Sequence, residues 1–136
     1  MSRITGSCLC GNIKYSVSTE PLFMANCHCK SCKKTSGSMF SAIVGVSEPT
    51  FALKGNTLTS YVSRGDSGKP IHRNFCSNCG TPIFSKAENS PGILYLRAGT
   101  IDNEFDFSPK ANIYWRDHKD WLPKDIPSFE TMPSIK

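Results

Sequence analysis

The seven cysteines of this 136-residue chain fall into three tight groups: Cys8 and Cys10; Cys27, Cys29 and Cys32; and Cys76 and Cys79. Thiols crowded in this way either oxidise in pairs or share a metal ion. Disulfides alone would strand one of seven, which favours metal. Phe75-Cys76-Ser77-Asn78-Cys79-Gly80 is a knuckle pattern. Two intervening residues let both sulfurs reach one zinc ion at about 2.3 Å, and the glycine admits the positive φ of the tight turn. A knuckle supplies only two of the four ligands of tetrahedral zinc.

Cys8-Leu9-Cys10-Gly11 is the natural complement. Residues i and i+2 at a strand end face the same way, so a C-x-C there presents two thiolates to one ion. Paired with the knuckle it makes a closed four-thiolate site whose role is stability. Cys27-His28-Cys29-Lys30-Ser31-Cys32 then remains, a C-x-C on extended chain running into a C-x-x-C on a turn. Three thiolates cap one face of a tetrahedron and leave the fourth position unassigned, as catalytic zinc sites do. Zinc so rich in thiolate is a weak Lewis acid, better suited to binding a soft sulfur ligand than to making hydroxide. Two other arrangements fit the same residues. His28, His72 or His118 completes and seals the trio, or the knuckle pairs with the trio and leaves Cys8 and Cys10 free. Lys33 and Lys34, beside the trio, and Arg73 are candidates for holding carboxylates of a bound ligand. An ordinary solvated lysine pair is the competing reading.

The elements that must position these groups read as short strands. Hydrophobic residues make up 38% of the chain, with 9 prolines and 10 glycines spread along it, a composition of strands and turns rather than long helices. Residues 12–17 alternate polar and apolar with period two. Residues 39–46 form a near-continuous apolar run, and further strands are expected over 50–53, 58–62, 71–75, 82–84, 92–97 and 111–115. Helix is expected for a turn or two after Cys29 and over 117–121. The fold class is all-β with minor helix, in one domain spanning residues 1–136, with an irregular strap from about Leu122. Trp121, Phe129 and Ile135 are its candidate anchors.

The net charge of +5 suits small anionic substrates as well as nucleic acid. However, no basic run or aromatic–basic interleaving is present. No stretch approaches a membrane span, and the N-terminal residues lack the apolar core of a secretory signal. A cytoplasmic, thiol-reducing location is the expectation.

With these residues in view, the chain resembles the family of glutathione-dependent formaldehyde-activating enzymes, which includes centromere protein V. The matching stretches are residues 6–15, 27–34, 36–38, 75–81 and 99–102. The resemblance implies a β-tent fold built around zinc. It also implies a structural zinc on Cys8, Cys10, Cys76 and Cys79 and a second, reactive zinc on Cys27, Cys29 and Cys32. The implied reaction is the condensation of formaldehyde with glutathione to S-hydroxymethylglutathione, a carbon–sulfur lyase activity. Lys33 stands where many relatives have Arg, and Asn112 where relatives often have His. Three functions remain in view: a zinc-dependent enzyme joining a thiol to an aldehyde, a thiol carrier without turnover, and a zinc-ribbon-like adaptor.

Overall fold

The computed structural model describes residues 3–122 and 125–133. Among them are ten strands and one α-helix: β1 (Ile4–Ser7), β2 (Lys14–Val17), β3 (Phe23–Cys27), α1 (Lys30–Ser36), β4 (Ser41–Ser47), β5 (Phe51–Lys54), β6 (Leu58–Arg64), β7 (Pro70–Cys76), β8 (Pro82–Ala87), β9 (Ile93–Arg97) and β10 (Ala111–Ile113). They build a three-stranded sheet, β1-β2-β5, and a seven-stranded sheet, β10-β3-β4-β9-β8-β7-β6. No helix among the described residues is long and apolar enough to cross a membrane.

The architecture follows from period two on the large sheet. Val44 and Val46 of β4, and Leu94 and Leu96 of β9, are buried on one face. There they pack against Ile4, Tyr15 and Val17 of the small sheet to form the main core. Intervening residues emerge on the opposite face, where register sets Ile43 beside Arg97, Ser85 beside Tyr95, and Arg73 beside Ser85. This second face is not sealed by another sheet. Helix α1 and the 111–114 segment flank it, with Ala25, Cys27, Cys32, Ile43 and Ile113 in a smaller cluster.

Two strands escape the sequence pattern. Strand β1 holds only four residues, and β3 ends on a thiol; its neighbour β10, paired in parallel, comes from more than eighty residues away. The helix expected over 117–121 is absent. A single 3-10 turn occupies Trp115–Asp117, preceded by Tyr114 in the left-handed region at φ 56°. That residue also ends β10 at Ile113, short of the 111–115 strand expected.

The C-terminal segment is held by backbone. Asn112 N–H donates to the Pro127 carbonyl at 2.8 Å, Phe129 N–H to the Asn112 carbonyl at 2.9 Å, and Tyr114 N–H to the Thr131 carbonyl at 3.1 Å. Side-chain anchoring differs from expectation. Trp121 is 71% exposed and Phe129 37%, whereas Leu122 is buried. Ile135 lies outside the described residues.

Candidate metal centres and the cavity beside them

The first thiol cluster joins the N-terminal segment to the middle of the chain. Strand β1 delivers Cys8 at its exit, and Gly11 closes the turn by donating its N–H to the Cys8 carbonyl at 3.1 Å. Strand β7 ends on Cys76, and Gly80 donates to the Cys76 carbonyl at 2.8 Å. Both glycines have positive φ, 82° and 81°, a conformation that costs a side-chain-bearing residue but not glycine. The C-x-C therefore sits in a turn just past the strand, not on extended chain. Cys8, Cys10, Cys76 and Cys79 place their sulfurs within 4.8 Å of one another. Cys8 and Cys10 are 3.6 Å apart, and Cys10 and Cys76 3.8 Å. A tetrahedron with arms of about 2.3 Å has edges of about 3.8 Å, whereas a disulfide brings sulfurs to about 2.05 Å. The donor set and its spacing fit a metal such as zinc.

The surroundings prepare two of these thiols, Cys79 and Cys76, to ionise. Thr81 links the halves, its hydroxyl accepting from Leu9 N–H at 3.1 Å and lying 3.1 Å from Cys79 Sγ. That hydroxyl leads the interactions that pull the Cys79 thiol down to about 5. The Thr57 hydroxyl, 3.3 Å from Cys76 Sγ, lowers that thiol in the same sense.

The second cluster is local in sequence. Strand β3 ends on Cys27, Cys29 is the N-cap of α1, and Cys32 lies in its first turn. Cys29 Sγ accepts the Cys32 N–H at 3.2 Å, so the turn that brings the sulfurs together is itself held by one of them. The three sulfurs lie within 4.8 Å of one another. Proton sharing splits the trio. Hydrogen bonds from Cys29 and Cys32, and burial, push Cys27 up. Hydrogen bonds from Cys27 and Cys29, with Arg97 and Arg73 nearby, hold Cys32 well below an ordinary thiol. A divalent cation would allow all three to ionise together.

The positions of the side chains bear on the alternatives left open by the sequence. The knuckle pairs with Cys8 and Cys10, and no histidine joins either cluster among the described residues. His72 Nε2 meets Glu88 Oε2 at 2.9 Å, and His118 stacks on Trp115 with ring centroids 3.8 Å apart. His28 is 2% exposed; its Nε2 pairs with Asn112 Oδ1 at 3.0 Å, while its Nδ1 has no partner. Asn112 also donates from Nδ2 to Ser128 Oγ at 3.2 Å, tying the ring to the C-terminal segment. Asn112→Ala leaves both ring nitrogens of His28 without partners. It is expected to cost about 1–3 kcal/mol, seen as a lower midpoint in urea unfolding; an unchanged midpoint would show that the contact carries no stability.

A cavity of about 540 Å³ opens beside the trio. All three cysteines line it together with Arg73, Arg97 and Tyr114. Burial pushes the Tyr114 phenol up to about 12, so it stays a hydrogen-bond donor at neutral pH. Of the three cations singled out in the sequence, Arg73 lines the cavity. Lys33 and Lys34 are not among the lining residues, and the Lys33 ammonium instead donates to the Asp117 carbonyl, docking α1 onto the 3-10 turn. Lys30, Arg64, Arg97 and Arg116 line the cavity without having been singled out. Arg97 had a legible signal, since it shares the period-two parity of Tyr95 on its strand.

Known proteins resemble this chain in sequence and in fold. The model of a family described as glutathione-dependent formaldehyde-activating enzyme matches residues 3–117. A Halomonas elongata protein provisionally named glutathione-dependent formaldehyde-activating enzyme is 27% identical over 124 residues, covering 88% of this chain and 79% of that protein. An uncharacterized lyase of Schizosaccharomyces pombe is 28% identical over 98 residues, 72% of this chain and 68% of that one. The crystal structure of a Rhodobacter sphaeroides protein superposes with a TM-score of 0.59 at 18% identity, covering 74% of this chain and 90% of that chain, and so shares the fold.

Proposed function

The chain belongs to the family of glutathione-dependent formaldehyde-activating enzymes, and from that premise we propose that it is a zinc-dependent enzyme of carbon–sulfur lyase type. It joins a glutathione-like thiol to a small aldehyde, or releases the adduct. The observation that carries this reading is the three-sulfur cluster on the wall of an open cavity, with no fourth protein ligand among the described residues.

The two clusters divide the work. Cys8, Cys10, Cys76 and Cys79 would hold a structural zinc. Zinc on Cys27, Cys29 and Cys32 would supply a coordination site that keeps an incoming thiol in its thiolate form at neutral pH. The chain's own groups do the rest. About 540 Å³ is within the range of small-molecule sites, about 300–1,000 Å³, and has room for a tripeptide. Lys30 and Arg64 at its wall suit the carboxylates of such a peptide. In the reaction the sulfur adds to the aldehyde carbon, the carbonyl electron pair moves to oxygen, and that oxygen gains one proton. Tyr114, held protonated, is a donor on the wall that can hydrogen-bond the developing alkoxide.

Calorimetric titration of metal-replete protein with reduced glutathione, run beside formaldehyde consumption with and without protein, tests the reading. One saturable binding event per chain and faster consumption are expected. Saturable binding with no change in rate makes the protein a thiol carrier, and no binding removes the thiol reading altogether.

A further inference from the structure

Two guanidinium groups are buried at the cavity with no acidic partner. Arg73 is 9% exposed and Arg97 7%, and among the described residues neither forms an ion pair. Their contacts are neutral hydroxyls. Arg73 Nε donates to Ser63 Oγ at 3.2 Å, and Arg97 Nη2 to Ser85 Oγ at 3.1 Å. The buried Nε of Arg97 has no acceptor. Arg3 and Arg116, both more exposed, do meet carboxylates. Burying a guanidinium without a counter-charge is costly, and two sharing one site repel each other as well. Hydroxyl partners orient these groups while leaving their charge uncancelled.

Position narrows what the pair serves. Strand register sets Arg73 beside Ser85, and Ser85 bonds Arg97. All three line both the 540 Å³ cavity that holds the trio and a second cavity of about 220 Å³. The pair is therefore reachable from two sides. The trio offsets part of this positive charge, and the arginines in turn favour the Cys32 thiolate. Sulfur is nevertheless a weak hydrogen-bond acceptor, and the buried Nε of Arg97 stays without one. The acceptor that matches a planar N–H fork is a carboxylate.

We propose that Arg73 and Arg97 form a carboxylate subsite between the two cavities, so that the ligand is a thiol, or a thiol–carbonyl adduct, carrying a carboxylate. The inference rests on the reading of the trio as a thiol site. Formaldehyde itself has no charge to offer this subsite. The carboxylate belongs either to the peptidic thiol or to a 2-oxo acid that takes the aldehyde's place. In the second case sulfur adds to the carbonyl carbon, the oxygen takes up one proton to become hydroxyl, and nothing is oxidised or reduced.

The test titrates zinc-replete wild type, Arg73→Gln, Arg97→Gln and Arg97→Lys with 2-mercaptoethanol, with glutathione, and with glyoxylate after saturation by glutathione. The glutamine variants are expected to lose roughly tenfold to a hundredfold in affinity for a carboxylated ligand. Their 2-mercaptoethanol affinity should stay within about twofold, and zinc per chain should be unchanged. Loss for glutathione assigns the carboxylate to the peptide; loss confined to glyoxylate assigns it to the carbonyl partner. Arg97→Lys keeps the charge and removes the fork, and is expected to lose affinity in the same pattern. Variants matching wild type for every ligand, or losing 2-mercaptoethanol as strongly as the carboxylated ligands, overturn the subsite. Wild type that binds no thiol overturns the reading of the trio instead, and the two failures are distinguishable.

Discussion

Replacing Cys76 with serine is expected to remove one zinc equivalent and to lower the melting temperature by roughly 10–20 °C. Cys76 has no exposed surface and belongs to the main core cluster. Its site ties the exit of β1, in the small sheet, to the exit of β7, in the large one. A metal there acts as a cross-link between Cys10 and Cys76, which are 66 positions apart. By the loop-entropy argument used for disulfides, closing a loop of that length contributes about 4 kcal/mol. That is a large share of the total stability of a typical domain, about 5–15 kcal/mol. Circular dichroism melts with and without a chelator, beside elemental zinc analysis, measure it. A variant that keeps two zinc ions and melts like the wild type would refute the structural assignment.

Cys29→Ser is expected to leave the fold almost as stable as before. It should lose one zinc equivalent and weaken glutathione binding by more than roughly a hundredfold, since even outer-shell changes at metal sites cost ten- to a hundredfold. The melt should shift by only a few degrees. The physical reason is locality. Cys27, Cys29 and Cys32 lie within six residues, so their ion closes no long loop and little unfolded-state entropy is at stake. The remaining structural duty of Cys29 is to cap α1 by accepting the Cys32 N–H, and a serine oxygen is among the best N-caps. Loss of both ions, or collapse of the fold, would mean that the two clusters are not independent.

These contrasting outcomes trace to what could be read before any coordinates. C-x-x-C and C-x-C bites are short enough that chain geometry alone limits which sulfurs share an ion, and Gly80 takes the positive φ that the knuckle requires. Most strands were legible as short runs bounded by turn residues. Residues 12–17 alternate polar and apolar, and residues 39–46 form an apolar run that becomes the largely buried β4. Strands β1 and β3 were not legible, because Ile4–Ser7 is too short to show a period and Phe23–Cys27 gives its last position to a thiol.

Lys33 and Lys34 show the limit of reading proximity as direction. They are neighbours of the trio along the chain, but a helix also rises about 1.5 Å per residue. Lys30 and Ser31, at the start of the helix, line the cavity, while Lys33, a turn further along, reaches the Asp117 carbonyl on another segment.

The amino-acid sequence by itself thus determined the family, the mainly β class and the three tight thiol groups, all of which depend on residue type and short spacing. Tertiary structure alone decided that Cys76 and Cys79 lie with Cys8 and Cys10, that no histidine lies with the trio, that a cavity lies beside it, and that Arg73 and Arg97 meet there with no carboxylate partner among the described residues. Each of these depends on which strands pair and in what register across a seven-stranded sheet. Such pairings bring together residues tens of positions apart, and no local pattern encodes them.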